Sequence, residues 1–246
     1  MNDWVYVSRK AIGFDLNAPS PFIKTKVLRK SGRSVWIDPE NDGGEIKVAT
    51  SKLRREVRIL IFRIGDYDET GLLDPLFKSV LQFCRIMLPD DDVKGFRIRS
   101  TIELHKFLFD LRGQFEHLIL IAHGSENGLQ FGTNNVSADE LCDEIKSAFS
   151  LEPRHKNMTE IISLCCQTGK QKFAKPISNA HFCKAFIAPF HSVHGCVASL
   201  FCQDYLSNRI LENRGTKVSA RQARDRMVGA TKFRLWENGK LISGPK

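Results

Sequence analysis

The chain has 246 residues, of which 42% are hydrophobic and 26% charged, and a formal net charge of +9. That length accommodates one α/β domain plus a small module and buries a sizeable core, and the composition excludes disordered and fibrous classes. No apolar run approaches the roughly 18 residues of a membrane-spanning helix, and the amino-terminal segment, with Asp3 and Asp15, lacks the apolar centre of a secretory signal. A cytoplasmic protein without membrane attachment is therefore expected.

Residues 1–53 carry short β-like runs at 4–7, 22–28, 34–37 and 45–48, separated by polar turn clusters rich in Pro, Gly, Asn and Asp. Such a pattern predicts a small β-barrel, SH3-like in size, whose role is either partner docking or structural. The basic segment Lys52-Leu53-Arg54-Arg55 marks the boundary to a second domain, residues 54–246. There strands alternate with helices. A continuous apolar strand over 57–62 is followed by a helix over 72–87 and a short strand at 96–98. Ser100-Thr101-Ile102-Glu103 and Ser137-Ala138-Asp139-Glu140 have capping-box form and open two further helices. Strands follow at 117–122, 160–165 and 182–189, then a helix from 197 toward Gly215 and another over 219–228. Asn238-Gly239 between apolar runs is a two-residue hairpin signal. The alternation predicts a mostly parallel sheet with helices on both faces.

Two of these strands end in chemistry. Leu118-Ile119-Leu120-Ile121-Ala122 runs into His123-Gly124, and Ile161-Ile162-Ser163-Leu164 runs into Cys165-Cys166-Gln167-Thr168-Gly169. Adjacent parallel strands bring their carboxyl ends together, so a histidine and a cysteine there can form a thiol dyad. Side chains alternate along a strand, so the two cysteines cannot both face His123. The residue immediately before the Gln167-Thr168-Gly169 turn, Cys166, is the one freed at the sheet edge; together with the motif alignment given next this favours Cys166 and leaves Cys165 as a small buried hydrophobe.

His123-Gly124-Ser125-Glu126-Asn127-Gly128 resembles the His-Gly-x-x-x-Gly signature of caspase-like CHAT domain peptidases, and Ser163-Leu164-Cys165-Cys166-Gln167-Thr168-Gly169 resembles their Leu-Ser-Ala-Cys-x-Thr-Gly signature, with Cys165 where that family usually has alanine. Residues 193–201 are also similar to the last strand-to-helix region of that family, and the resemblance extends over about residues 55–240. It implies a caspase-like fold, Cys166 as nucleophile, His123 as its proton partner, and backbone N–H groups of Gly124 and Cys166 as the oxyanion hole. Glycines 128 and 169 are expected to serve turns. The resemblance also implies a protein substrate, a regulatory protein partner, and a place in a bacterial regulatory or antiviral defence system. In related enzymes the loop after the first strand helps form the pocket for the side chain before the cut. In that loop Asp66 or Asp68 would select Lys or Arg, Arg63 would select an acid, and a plain solvated loop is the alternative.

Other chemistries are weaker. The Cys and His residues between 165 and 202 contain no Cys-x-x-Cys pair and only one close His pair, His191/His194, so no metal site is expected. No phosphate-binding glycine loop is present, and no cofactor is expected. The seven cysteines are odd in number and scattered, a pattern of reduced thiols rather than a disulfide framework. Two rival readings remain: a catalytically silent, caspase-like adaptor that binds protein, and a basic nucleic-acid-binding protein. The cations are dispersed from Arg9 to Lys246, and Asp225 lies among Arg221, Arg224 and Arg226, which favours a solvated surface over the latter.

Overall fold

The computed structural model describes residues 4–14, 22–39, 44–55, 58–66, 71–111, 115–149, 159–227 and 229–245. The chain divides into two compact units, Met1–Val57 with Gln82–Val93, and Arg58–Leu81 with Lys94–Lys246.

The smaller unit contains β1 (Trp4–Ser8), a one-turn α1 (Arg9–Ile12), β2 (Phe22–Ser31), β3 (Ser34–Asp38), β4 (Ile46–Ala49) and β5 (Leu53–Arg55). Alternation along the strands turns Val7, Val35, Ile37 and Val48 into one core. The strands form an antiparallel sheet in the order β4-β3-β2-β1-β5. Among the described residues this is an open half-barrel and not a closed one, since the three- and four-residue strands at its two edges pair on one side only. The basic segment at 52–55 supplies β5, with Val5 opposite Arg55 and Val7 opposite Leu53. Asp92 belongs to the same unit. It is buried, and it accepts hydrogen bonds from Tyr6 Oη at 2.7 Å and Lys24 Nζ at 2.8 Å.

The remaining elements are β6 (Ile59–Ile64), α2 (Leu73–Met87), β7 (Val93–Ile98), α3 (Thr101–Leu111), β8 (His117–Ile121), β9 (Gly124–Ser125), β10 (Gly128–Phe131), β11 (Asn134–Val136) and α4 (Ala138–Phe149). They continue with β12 (Thr159–Ser163), α5 (Gln171–Asn179), β13 (Cys183–Pro189), α6 (Gly195–Leu206), α7 (Thr216–Arg226), β14 (Phe233–Glu237) and β15 (Lys240–Ser243). The main sheet runs β15-β14-β13-β12-β8-β6-β7, with β13, β12, β8 and β6 parallel and β14 and β15 antiparallel. Every residue of β6 and β8 is buried, as strands covered on both faces require. One face sets Leu60, Phe62, Leu118, Leu120, Ile161 and Phe186 against α3, α4 and α5. The opposite face carries Glu160, which meets Tyr205 of α6 and Thr216 of α7. This is a mixed α/β layer structure with a mostly parallel sheet.

Local signals position the helices. Glu103 N–H donates to Ser100 Oγ at 3.2 Å while Ser100 N–H donates to Glu103 Oε2 at 3.1 Å, and Ser137 and Glu140 repeat the exchange. Asn238 and Gly239 both have positive φ, as a type I′ hairpin demands. Two features escape the sequence reading. Helix α5 carries Pro176 in its interior, a residue that argues against a helix. The strands β9, β10 and β11 are two to four residues long and form a separate small sheet. Among the described residues no helix is long and apolar enough to cross a membrane.

Glu160 is the buried electrostatic centre of the larger unit. Its carboxylate accepts from Arg209 (Nε 3.0 Å, Nη2 2.7 Å), Lys184 Nζ (2.9 Å), Tyr205 Oη (2.8 Å) and Thr216 Oγ1 (2.7 Å). Burial opposes ionisation, but the cations overcome it and hold Glu160 well below the usual carboxylate range. His117 Nδ1 lies 3.4 Å from the same carboxylate without a hydrogen bond. Burial outweighs the neighbouring charge and pulls that imidazole from 6.5 down to about 4, so it is neutral at pH 7. Between those two values the unfolded chain binds a proton that the folded chain refuses. The stabilisation is complete above pH 6.5 and is lost as pH falls toward 4. Urea unfolding at about pH 7.5 and about pH 5 is predicted to show a loss of about 2 kcal/mol from this residue. His117→Asn is predicted to flatten that difference. Glu160→Gln, which strands Arg209 and Lys184, is predicted to cost about 3–5 kcal/mol at neutral pH.

Candidate active site

Register carries the chain at His123 and at Cys166 past the ends of two adjacent parallel strands. In the parallel β8–β12 ladder Leu120 stands opposite Ser163, and Leu164 N–H donates to Leu120 O at 2.8 Å. His123 and Cys166 each lie three residues beyond that last matched pair, so they leave the sheet at equivalent points of adjacent strands. Their backbones then meet. A Cβ on Gly124 would stand 2.8 Å from Cys165 Cβ, 3.0 Å from Cys166 O and 3.2 Å from Thr168 Cγ2. Only glycine permits that approach. Gln130 N–H donates to His123 O at 3.0 Å, and Leu129 stands opposite Gly124. This makes Gly124–Leu129 a non-hydrogen-bonded pair, so the Gly124 N–H points away from β10.

The two sulfurs differ as strand parity requires. Cys165 is fully buried, its thiol donates to Leu120 O at 3.5 Å, and burial pushes its pKa up to about 12. Cys166 is partly exposed, with Sγ 3.9 Å from Val193 O. His123 is exposed on the rim.

The turn carrying Cys166 is held in an uncommon shape. Gln167 has φ +61°, a left-handed conformation for a residue with a side chain. Thr168 is completely buried and donates to Cys165 O at 2.8 Å, which leaves Ser163 Oγ as donor to Thr168 Oγ1, also 2.8 Å. Ser163 Oγ in turn accepts from Cys165 N–H at 3.3 Å. Gln167 N–H reaches His191 O at 3.3 Å, and Gly169 O accepts from Trp236 Nε1 at 3.1 Å. Gly128 and Gly169 keep ordinary φ values, so the space around them matters more than turn geometry. A Cβ on Gly128 would stand 2.5 Å from Val136 O, and one on Gly169 2.5 Å from Ala188 O. Sequence reading alone overlooked the Ser163–Thr168 staple. The signal was there in two hydroxyl residues bracketing a turn.

Around this centre the β9–β10 tip is tied to the start of α5 by Lys170–Glu126 at 3.1 Å and Lys172–Asn127 at 2.7 Å. The segment between β13 and α6 contributes Val193 O and, beyond it, exposed Cys196, whose Sγ is 3.6 Å from His194 Nδ1. The loop after β6 is braced from beneath. Fully buried Arg63 donates to Gly65 O and Asp66 O and pairs with Asp74. It is thus engaged within the protein, not presented to a substrate. Asp66 pairs with Arg99 at 2.8 Å, and Asp68 lies outside the described residues. Beside that pair a groove of about 350 Å³ is lined by Arg99, Ser100, Glu103 and residues 131–134. Among the described residues no three His, Cys, Asp or Glu side chains converge to hold a metal ion.

No protein-family model and no curated protein sequence matches the chain. Among solved structures it is similar to one described as an inactive zymogen C11 protease from Parabacteroides distasonis, with a TM-score of 0.48 and 9% identity. The match covers 74% of this chain and 62% of that one, so the chain spans less than two thirds of that protein's length.

Alkylation of the folded protein, mapped by mass spectrometry, is predicted to mark Cys166 and Cys196 and spare Cys84, Cys142, Cys165, Cys183 and Cys202, which are buried. Thr168→Val removes two buried hydrogen bonds and is predicted to lower stability by about 1–3 kcal/mol, read by denaturant unfolding.

Proposed function

We propose that the protein is a caspase-like cysteine endopeptidase of CHAT type, with Cys166 as nucleophile and His123 as its proton partner. The observation that supports this most is the matched departure of His123 and Cys166 from adjacent parallel strands, with Gly124 packed on the Cys165-Cys166 backbone. In the proposed reaction His123 takes the Cys166 proton, and the thiolate adds to the carbonyl carbon of the scissile peptide. The oxyanion is held by the N–H groups of Gly124, directed away from β10, and Cys166. Collapse of the adduct breaks the C–N bond, His123 protonates the leaving amine, and water hydrolyses the resulting thioester.

The side chain before the cut is proposed to be Lys or Arg, recognised by Asp66 with Asp68 as its companion in sequence. Arg99 is exposed and Asp66 partly so, and such a solvent-accessible ion pair is weak enough for a substrate cation to compete with it. The substrate is proposed to be a dedicated protein in a bacterial regulatory or defence assembly, after the CHAT resemblance of the two motifs. A silent protein-binding adaptor is the second reading. What favours it is the resting contact of Cys166 Sγ with Val193 O, which the thiol must leave to meet a base.

Incubation with a mixed peptide library, read by mass spectrometry, tests the proposal. Wild type is expected to cut after Lys or Arg, and Cys166→Ala and His123→Ala to lose at least about 10³-fold in kcat/KM. Asp66→Asn is expected to raise KM for such peptides more than it lowers kcat. Equal cleavage by wild type and Cys166→Ala would remove Cys166 as nucleophile. An alkylating probe that leaves Cys166 of the folded protein untouched would favour the adaptor.

A further inference from the structure

The peptidase reading makes no use of the excess positive charge, and part of that charge is organised on one face of the small unit. Val35 and Ile37 point into its core, so Trp36, between them on β3, points the other way and is only partly buried. The ladder register sets Arg29 of β2 directly opposite Trp36 on one side and Lys47 of β4 on the other. Neighbouring strands lie about 4.8 Å apart, so the three side chains form one cation–indole–cation row. The Arg29 guanidinium lies 4.3 Å from the ring centroid and Lys47 Nζ 5.4 Å.

The row meets Arg29 through a β-bulge, where the register shifts between Val27 and Arg29 and brings a residue of the wrong parity onto this face. The β2–β3 tip adds exposed Arg33, whose carbonyl is held by Thr50 through both its N–H (2.9 Å) and Oγ1 (3.1 Å). Thr50 opens the short 3-10 turn that carries exposed Lys52. Two acids border the row, Asp38 further along β3 and Glu45, which pairs with Arg29 at 2.9 Å. The Arg29–Glu45 pair is exposed on both sides (60% and 42%), so it is weak and exchangeable.

We infer that this face binds single-stranded nucleic acid. A planar cation resting on an indole is a stacking platform for a nucleobase, while Arg33, Lys47 and Lys52 meet successive phosphates. An acidic protein segment would use the cations equally well but has no need of the indole. That difference makes the proposal testable. Glu45 acts as an internal competitor for Arg29, a role that single-stranded polyanions would relieve.

The test is fluorescence anisotropy of labelled oligo(U) and oligo(dT) of about twelve nucleotides with the full chain, from about 50 to about 200 mM salt. Saturable binding with quenching of tryptophan emission is expected. Trp36→Ala should weaken it about tenfold, and Trp36→Phe should recover part of the loss. Each of Arg29→Gln and Lys47→Gln should reduce the salt slope by about 0.7. Glu45→Gln should tighten binding, an effect that a purely structural row would not produce. A preference for oligo(U) or oligo(dT) would name the strand recognised. Absence of saturable binding at the lowest salt would overturn the proposal, as would affinity unchanged by Trp36→Ala. So would polyglutamate binding as tightly as the oligonucleotides. None of these readouts depends on Cys166, so failure here leaves the peptidase reading standing, and the converse holds as well.

Discussion

The carboxylate of Glu160 is taken by five donors from four side chains, and these come from β13, α6, the turn after α6 and α7. The carboxylate therefore ties the amino-terminal half of the central strands to the helical layer on one face. A buried ion pair is a poor source of net stability, because desolvation consumes most of the Coulombic gain. Its effect is on arrangement: any other register of β12 would leave the buried carboxylate without its partly buried guanidinium partner. The strand so constrained is the one whose far end carries Cys166. Fixing β12 against β8 at Glu160 and His117 fixes, a strand length away, which residues emerge side by side.

At that far end the backbone is under local strain and is compensated locally. Gln167 occupies a left-handed conformation that costs of order 1–3 kcal/mol. The Ser163–Thr168 hydroxyl pair, the Gln167–His191 bond and the Trp236 bond to Gly169 hold the turn in place. Every one of these contacts comes from an element other than the helix that follows. The turn is a rigid shelf, with Cys165 locked beneath it and Cys166 at its lip.

The small unit solves a different problem. Among the described residues its sheet is open with short edge strands, and only Val7, Val35, Ile37 and Val48 form its buried core cluster. A bulge in β2 turns Arg29 onto the face of Trp36, and Thr50 holds the adjoining tip. Both devices order side chains that face solvent, where packing alone would leave them mobile.

Local signals carried much of the architecture. The capping boxes at Ser100 and Ser137, the Asn238-Gly239 hairpin and the unbroken apolar run of β6 are read from neighbouring residues, because capping, turn geometry and burial period act within a few positions. His123-Gly124 and Cys165-Cys166 could likewise be placed at strand ends. The short β9–β11 sheet and Pro176-containing α5 could not, since long-range packing there overrides weak or contrary propensity. Nor could the sequence close or open the small sheet. Strand parity set Cys165 inward and Cys166 outward, whereas the tertiary structure alone decided that Leu120 pairs with Ser163 and that Glu160 meets Arg209 and Tyr205. Each of these pairings depends on contacts between residues distant in the chain, and no local period encodes register across such a separation.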